Sequence, residues 1–141
     1  KAYQAGDDAL DRHFALIGLQ DFYYRHRAIG DEYLQKCIEC CELDIRHLDQ
    51  MQKDHYDREY QMLRAIRKGK ALENEMKERG VMSGCIPAFE RLAIIYEKQK
   101  KYDKAIAMCD TALQYYRKYD IDDLGFADRR MKLIAKSEKV Q

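Results

Sequence analysis

Glycine and proline are scarce in this chain, and their scarcity limits what it can fold into. Seven glycines and a single proline, Pro87, are spread over 141 residues. A sheet protein needs a turn at every reversal between strands, and most turns contain glycine or proline. The apolar residues also recur at steps of three and four, which is the spacing of a helical face. The sequence therefore predicts an all-α fold.

Charge and length argue against several functional classes. The chain carries 26 basic and 25 acidic side chains, for a formal net charge of +1. Proteins that neutralise phosphates usually show a clear basic excess, so this balance argues against nucleic-acid binding. No apolar run approaches the roughly 18 residues of a membrane span. We expect a single domain over residues 1–141. Because the sequence begins at Lys1, a domain taken from a longer chain is also considered.

The first helical hairpin is predicted over residues 11–48. Gly30 is expected to adopt a left-handed conformation at the turn, and Asp31 to cap the second helix. Such a short turn predicts antiparallel packing. The apolar residues with helical spacing are Phe14, Ile17, Leu19, Phe22, Tyr23 and Tyr24 in the first helix, and Leu34, Cys37, Ile38, Cys41, Ile45 and Leu48 in the second.

The rest of the chain divides into a weak middle and a well-patterned end. Residues 50–80 have a thin apolar stripe interrupted at Gly69, which predicts either two helices or one long helix. A second hairpin is predicted over residues 86–118, with Pro87 in its first turn. After the acidic run at Asp120, Asp122 and Asp123, which we expect to cap the next helix, a final capping helix is predicted over residues 123–138.

The second hairpin resembles a tetratricopeptide repeat (TPR). The family places a bulky residue, leucine, a small residue and tyrosine on its first helix, and tyrosine, alanine, an apolar residue and alanine on its second. The matching residues are Phe89, Leu92, Ala93, Tyr96, Tyr102, Ala105, Cys109 and Ala112. In the first hairpin, Cys37, Cys41 and Asp44 precede Ala105, Cys109 and Ala112 by 68 residues each, twice the roughly 34-residue period of the family.

The resemblance implies antiparallel helical hairpins stacked in an α-α superhelix, here a fragment of a right-handed solenoid. It also implies a concave groove lined by the first helix of each hairpin. The candidate peptide-groove residues are Glu90, Arg91, Ile94, Glu97 and Lys98. The lysine and asparagine with which some members bind acidic C-termini are absent here, and a merely solvated face is the alternative. In the middle segment Ala71 matches the small-residue position, whereas Glu75 and Glu78 fall where apolar or small residues belong.

Few residue patterns in the sequence could indicate catalysis, metal binding or nucleic-acid binding. Cys37, Cys40 and Cys41 are close together, but a structural zinc site takes four ligands, usually from two separated pairs. We interpret Cys37 and Cys41 as core residues, and the odd total of five cysteines as reduced thiols. The segment 22–27 mixes aromatic and basic residues as single-strand binders do, but we interpret its aromatics as core. The four histidines have no recognisable nucleophile or metal-site spacing.

The sequence thus predicts a non-catalytic protein or peptide-interaction module of TPR type, with no catalytic residue, no cofactor and no bound metal. The alternative is a self-associating or regulatory domain, attached to a DNA-binding or enzymatic domain and possible as a homodimer. The partner is expected to be a protein or peptide, not nucleic acid or a membrane. The expected location is cytoplasmic.

Overall fold

Helices make up nearly all of residues 8–140, the part of the chain that the computed structural model describes. Seven helices are present there, and no strand occurs in those residues. The predicted all-α fold is confirmed. The helices are α1 (Ala9–Arg25), α2 (Asp31–Arg46), α3 (Leu48–Leu63), α4 (Gly69–Arg79), α5 (Pro87–Lys98), α6 (Tyr102–Lys118) and α7 (Phe126–Lys139). None of these described helices is both long enough and apolar enough to cross a membrane.

The chain divides into two compact units, Lys1–Gly84 and Cys85–Gln141. The first contains α1 to α4 and the second contains α5 to α7. The single domain expected from the sequence stays a prediction.

In the first unit, α1 and α2 form an antiparallel hairpin against which α3 packs, and α4 packs against α3. The direction of α2 follows from its contacts with α1: His13 meets Asp44, whereas Gln20, further along α1, meets Cys40 and Cys37. Buried apolar side chains from all four helices fill the core. They include Leu10, Leu16, Ile38, Cys41, Met51, Leu63 and Met76.

The buried face of α1 differs from the one that its apolar residues predict. The side chains that are buried are those of Ala9, Leu10, His13, Leu16 and Gln20. Phe14 and Phe22 are instead 55% and 45% exposed, and Tyr23 and Tyr24 are half-buried, so the interpretation of the aromatics as core is wrong. His13 and Gln20 lie on the buried face of α1 because Asp44 and the carbonyl of Cys40, both on α2, accept hydrogen bonds from their side chains.

The turn between α1 and α2 also differs from the prediction. Gly30 is the N-cap of α2 and is extended, with φ −179°, rather than left-handed. Asp31 is the first residue of the helix, and no side-chain hydrogen bond caps it. Its carboxylate, with that of Glu32, still lies in the first turn, where negative charge is favourable against the helix dipole.

The middle segment contains two helices, and α4 begins at Gly69. Gly69 has a φ of +56°, a conformation that disfavours residues with a side chain, so the break in the apolar stripe marks a true break in the helix. Beyond α4 the chain is tied back to α3 by Gln52. Its amide donates to the carbonyl of Met82 and accepts from the N–H of the same residue, both at 2.9 Å.

In the second unit α6 packs against both α5 and α7. Pro87 is the first residue of α5, as predicted. The hydroxyl of Tyr116 accepts a hydrogen bond from the N–H of Ile86 at 3.0 Å, and burial raises the pKa of Tyr116. The aromatic rings of Phe89, Tyr115, Tyr116 and Phe126 pack together at centroid distances between 5.5 and 6.3 Å.

The acidic run before α7 stabilises the turn rather than capping the helix directly. Asp122 accepts from the N–H of Leu124, and Asp123 accepts from that of Gly125. The N-cap of α7 is Gly125 itself, which has a φ of +86°.

Candidate functional site

Two ion pairs join α5 to α7, and they lie two helical turns apart along both helices. Glu90 Oε2 lies 3.5 Å from Arg129 Nη2, and Glu97 forms an ion pair with Lys136. The two acids are two turns apart on α5, and the two bases are two turns apart on α7. The two helices therefore run in the same direction, side by side, with α6 packed against both.

The predicted groove residues lie on the side of α5 that its core does not use. Glu90, Ile94 and Glu97 follow one another at helical steps along this surface, with Arg91 and Lys98 beside them. Glu90 and Lys98 are exposed, whereas Ile94, Arg91 and Glu97 are half-buried. The neighbouring positions Phe89, Leu92, Ala93, Ile95 and Tyr96 are buried, as the sequence predicts.

Bases outnumber acids among the five predicted groove residues and the two α7 bases that pair with them, which together are called the α5–α7 surface. Its acids are Glu90 and Glu97, and its bases are Arg91, Lys98, Arg129 and Lys136. The hydrogen bond to Glu97 raises the pKa of Lys136 from its ordinary value of 10.5. A ligand that meets this surface meets a net positive field with one aliphatic side chain, Ile94, in it.

The position of α7 is fixed by contacts besides these ion pairs. Arg130 Nε donates to Asp110 Oδ1 of α6 at 2.5 Å. The ring of Phe126 is buried at the start of α7 and packs against Phe89 and Tyr116. A ligand can therefore compete for Glu97 or Lys136 without releasing α7 from the unit.

A second polar cluster, which was not predicted from the sequence, is buried between α1 and α2. His13 Nδ1 lies 2.6 Å from Asp44 Oδ1, and Gln20 Nε2 donates to Asp44 Oδ2 at 3.4 Å. His13 and Asp44 are 2% and 1% exposed. A cavity of about 60 Å³ adjoins the pair and is lined in part by Arg12 and His47. The cluster joins α1 to α2 inside the core of the first unit.

A signal for this cluster is present in the sequence. His13 and Gln20 are two turns apart on α1, at helical steps from Leu10 and Leu16, so they share the face of apolar residues. Asp44 follows Cys37 and Cys41 at the same helical spacing. Polar residues that repeat with the period of a buried face indicate a hydrogen-bonded pair inside it.

The five cysteines are all free thiols. Cys37, Cys41 and Cys109 are buried, Cys40 is half-buried and Cys85 is exposed. Burial raises the pKa of Cys40 and raises that of Cys109 to about 11, so both are thiols rather than thiolates at neutral pH. Residues 8–140 contain no group of three or more histidine, cysteine, aspartate or glutamate side chains placed to hold a metal ion.

Comparison with protein-family models, curated proteins and solved structures gives no significant match for this chain.

Proposed function

We propose that this chain is a protein-interaction module of the tetratricopeptide kind, and that it binds a peptide segment on the α5–α7 surface. The packing of the second unit supports the resemblance on which this rests. Of the eight residues that match the repeat, Tyr102 is half-buried and the other seven are buried. The small residues Ala93 and Ala105 are 1% and 0% exposed, as expected where two helices pack closely.

The first hairpin supports the same proposal through its burial pattern. Cys37, Cys41 and Asp44, which precede Ala105, Cys109 and Ala112 by two repeat periods, are 0%, 0% and 1% exposed, and the three later residues are each 0% exposed. The middle segment does not follow the pattern, because Ala71 and Glu78 are exposed. A right-handed superhelix over the whole chain stays part of the proposal.

The proposed function depends mainly on one observation, which is that α5 and α7 are parallel and are joined by two ion pairs. In a stack of helical hairpins, the first helices of successive hairpins lie side by side and line one face of the stack, and such faces bind extended peptide segments. In this proposal α5 and α7 are two such first helices. The basic excess on the α5–α7 surface favours a ligand with acidic side chains. Ile94 supplies an apolar contact at its centre.

Pull-down from the source cell, followed by titration of the recovered segment, tests this proposal. Lys98→Glu and Arg91→Glu should each weaken binding by roughly tenfold, because each reverses a charge that faces an acidic ligand. Arg117→Glu is the matched control, because it reverses an exposed basic charge on α6 rather than on α5. A ligand that is indifferent to Lys98 and Arg91 but sensitive to Arg117 would place the binding surface on α6 instead.

The other functional expectations stay predictions. They are the absence of catalysis, of a cofactor and of a bound metal, and a cytoplasmic location. The alternative also stays open: a self-associating or regulatory domain attached to a DNA-binding or enzymatic domain. A groove between α3 and α4 in the first unit favours the self-associating form.

A further inference from the structure

An open groove of about 480 Å³ lies between α3 and α4 in the first unit. Tyr56 and Tyr60 of α3 line it, together with Leu72 and Met76 of α4. The two tyrosines are 45% and 37% exposed. Concave apolar surface of this kind, left open to water, commonly marks an interaction site.

The groove is held in shape by contacts of its lining residues and by an ion pair beside them. Tyr56 packs so closely over Gly80 that a Cβ at Gly80 would lie 2.7 Å from its ring. The rings of Tyr56 and Tyr60 are nearly parallel, with centroids 6.5 Å apart. The two helices are joined by an ion pair between Glu59 and Arg79 at 3.1 Å. The apolar surface is therefore preformed.

Four of the six charged residues of α4 divide into two sets. Glu75 and Arg79 are used inside the chain, where Glu75 pairs with Arg67 at 2.7 Å and Arg79 pairs with Glu59. Glu73 and Lys77 line the groove instead. Neither of them forms an ion pair with another residue of the described part of the chain.

We propose that the occupant of this α3–α4 groove is a second copy of the chain. Glu73 and Lys77 are one turn apart on the same edge of α4. A two-fold axis across the groove sets the α4 helices of two copies antiparallel and brings this edge against itself. Glu73 of each copy then faces Lys77 of the other, so the surface is complementary to itself in charge. The apolar side chains of both grooves meet between these pairs.

The size of the groove limits the strength of this dimer. One helix-to-helix contact with two exposed ion pairs falls in the range of small, transient interfaces. We expect a dimer that forms and dissociates with concentration, and that weakens as salt screens the Glu73–Lys77 pairs.

Charge-reversal variants test the proposal, and their association is measured by sedimentation velocity at low ionic strength. Protein concentrations from about 10 µM to about 1 mM cover the range in which weak complexes form. The wild type should associate. Glu73→Lys and Lys77→Glu should each weaken association roughly tenfold or more, because each gives a symmetric pair only like charges. An equimolar mixture of the two variants should associate again, since the acidic edge of one faces the basic edge of the other. The double variant Glu73→Lys/Lys77→Glu should associate like the wild type.

Circular dichroism serves as the control for folding, since all these positions are exposed on α4 and should leave helicity and Tm nearly unchanged. A wild type that remains monomeric at the highest concentration would overturn the proposal, as would a mixture of the single variants that fails to associate. Binding of an amphipathic helical peptide to a monomeric wild type would assign the groove to another protein and would also overturn it. The peptide proposal for the second unit is independent of this result, because it depends on Lys98 and Arg91 instead.

Discussion

His13 of α1 and Asp44 of α2 are joined by a hydrogen bond of 2.6 Å, and both side chains lie almost wholly out of water. Gln20 donates to the second oxygen of the same carboxylate. This arrangement sets the register of the first hairpin, because sliding α2 by one residue would carry Asp44 away from both donors. A buried carboxylate without partners is costly, so register and stability are linked at this point.

A double-mutant cycle should show this linkage. Asp44→Leu and His13→Leu should each lower the free energy of unfolding by about 3 kcal/mol. Asp44→Leu leaves His13 without its acceptor, and His13→Leu leaves Asp44 with only the 3.4 Å hydrogen bond from Gln20. The double variant should lose clearly less than the sum of the two single losses, because two apolar side chains can fill the same space, although Gln20 then keeps only its 3.5 Å hydrogen bond to the carbonyl of Cys40. Urea denaturation of the four proteins measures the coupling. Single losses that simply add in the double variant would contradict the linkage.

Helix α5 was well predicted because its patterned apolar residues are also its buried residues, whereas Leu124 and Met131 of the last part of the chain are 49% and 67% exposed. Phe89, Leu92, Ala93 and Tyr96 lie on one stripe of α5, and the opposite side is charged apart from Pro87 and Ile94. Pro87 marked the helix start correctly because proline fits the first turn and little else in a helix.

The face of α1 could not be predicted in the same way. Its apolar residues surround the helix, so their spacing does not select a single side. The choice is made by α2, where Asp44 provides the acceptor that lets His13 and Gln20 be buried in place of Phe14 and Phe22. The helical spacing of His13 and Gln20 places them on one face, but it does not identify the residue of α2 that makes burial of that face favourable. The same limit applies to the α3–α4 groove, whose shape depends on the contact of Tyr56 with Gly80.

Ala105→Leu should destabilise the protein by roughly 1–3 kcal/mol, because added methylenes at a fully buried position force the surrounding helices apart. Lys104→Gln, at the exposed neighbouring position, is the control and should change stability by less than about 0.5 kcal/mol. Thermal unfolding followed by circular dichroism compares the two. Equal losses would show that Ala105 is not at a close helix crossing.

Asp8 should contribute stability that disappears in acid. Its carboxylate accepts from the N–H of Asp11 at 2.8 Å as the N-cap of α1, and it pairs with Arg58 of α3. The backbone hydrogen bond first, and Arg58 second, lower the pKa of Asp8 from its ordinary value of 3.8. A lowered pKa means that the contribution is complete above the unfolded value and is lost as the pH falls through the folded value.

Two substitutions at Asp8 separate the cap from the charge. Asp8→Ala should cost about 1 kcal/mol at neutral pH, the usual value of an N-cap. Asp8→Asn keeps a capping oxygen and should lose less. Both differences from the wild type should shrink as the pH is lowered from about 5 to about 2, where the wild-type carboxyl becomes protonated. Urea midpoints measured across this range give the result, and a difference that grows in acid would contradict the assigned sign.

Glycine substitutions offer a last test, because Gly80 and Gly18 are expected to respond in opposite directions. A Cβ at Gly80 would lie 2.5 Å from the carbonyl oxygen of Met76 and 2.7 Å from the ring of Tyr56, closer than real contacts allow. Gly80→Ala should therefore destabilise the first unit by roughly 1–3 kcal/mol. Gly18 lies in the middle of α1, and a Cβ there meets nothing within 4 Å. Gly18→Ala should stabilise by about 0.5–1 kcal/mol, since alanine loses less backbone entropy in a helix.

The same pair of variants also connects the fold to the α3–α4 groove. Because Gly80 makes room for the ring of Tyr56, Gly80→Ala should displace that ring and weaken association of the chain in sedimentation experiments. Gly18→Ala changes only helix stability and should leave association unchanged, so it controls for any effect of stability itself. If Gly80→Ala lowers the Tm but association persists at the wild-type strength, the position of the Tyr56 ring does not matter to the interface. In that outcome, the interface between the two copies would depend on the α4 residues Leu72, Glu73, Met76 and Lys77 and not on Tyr56.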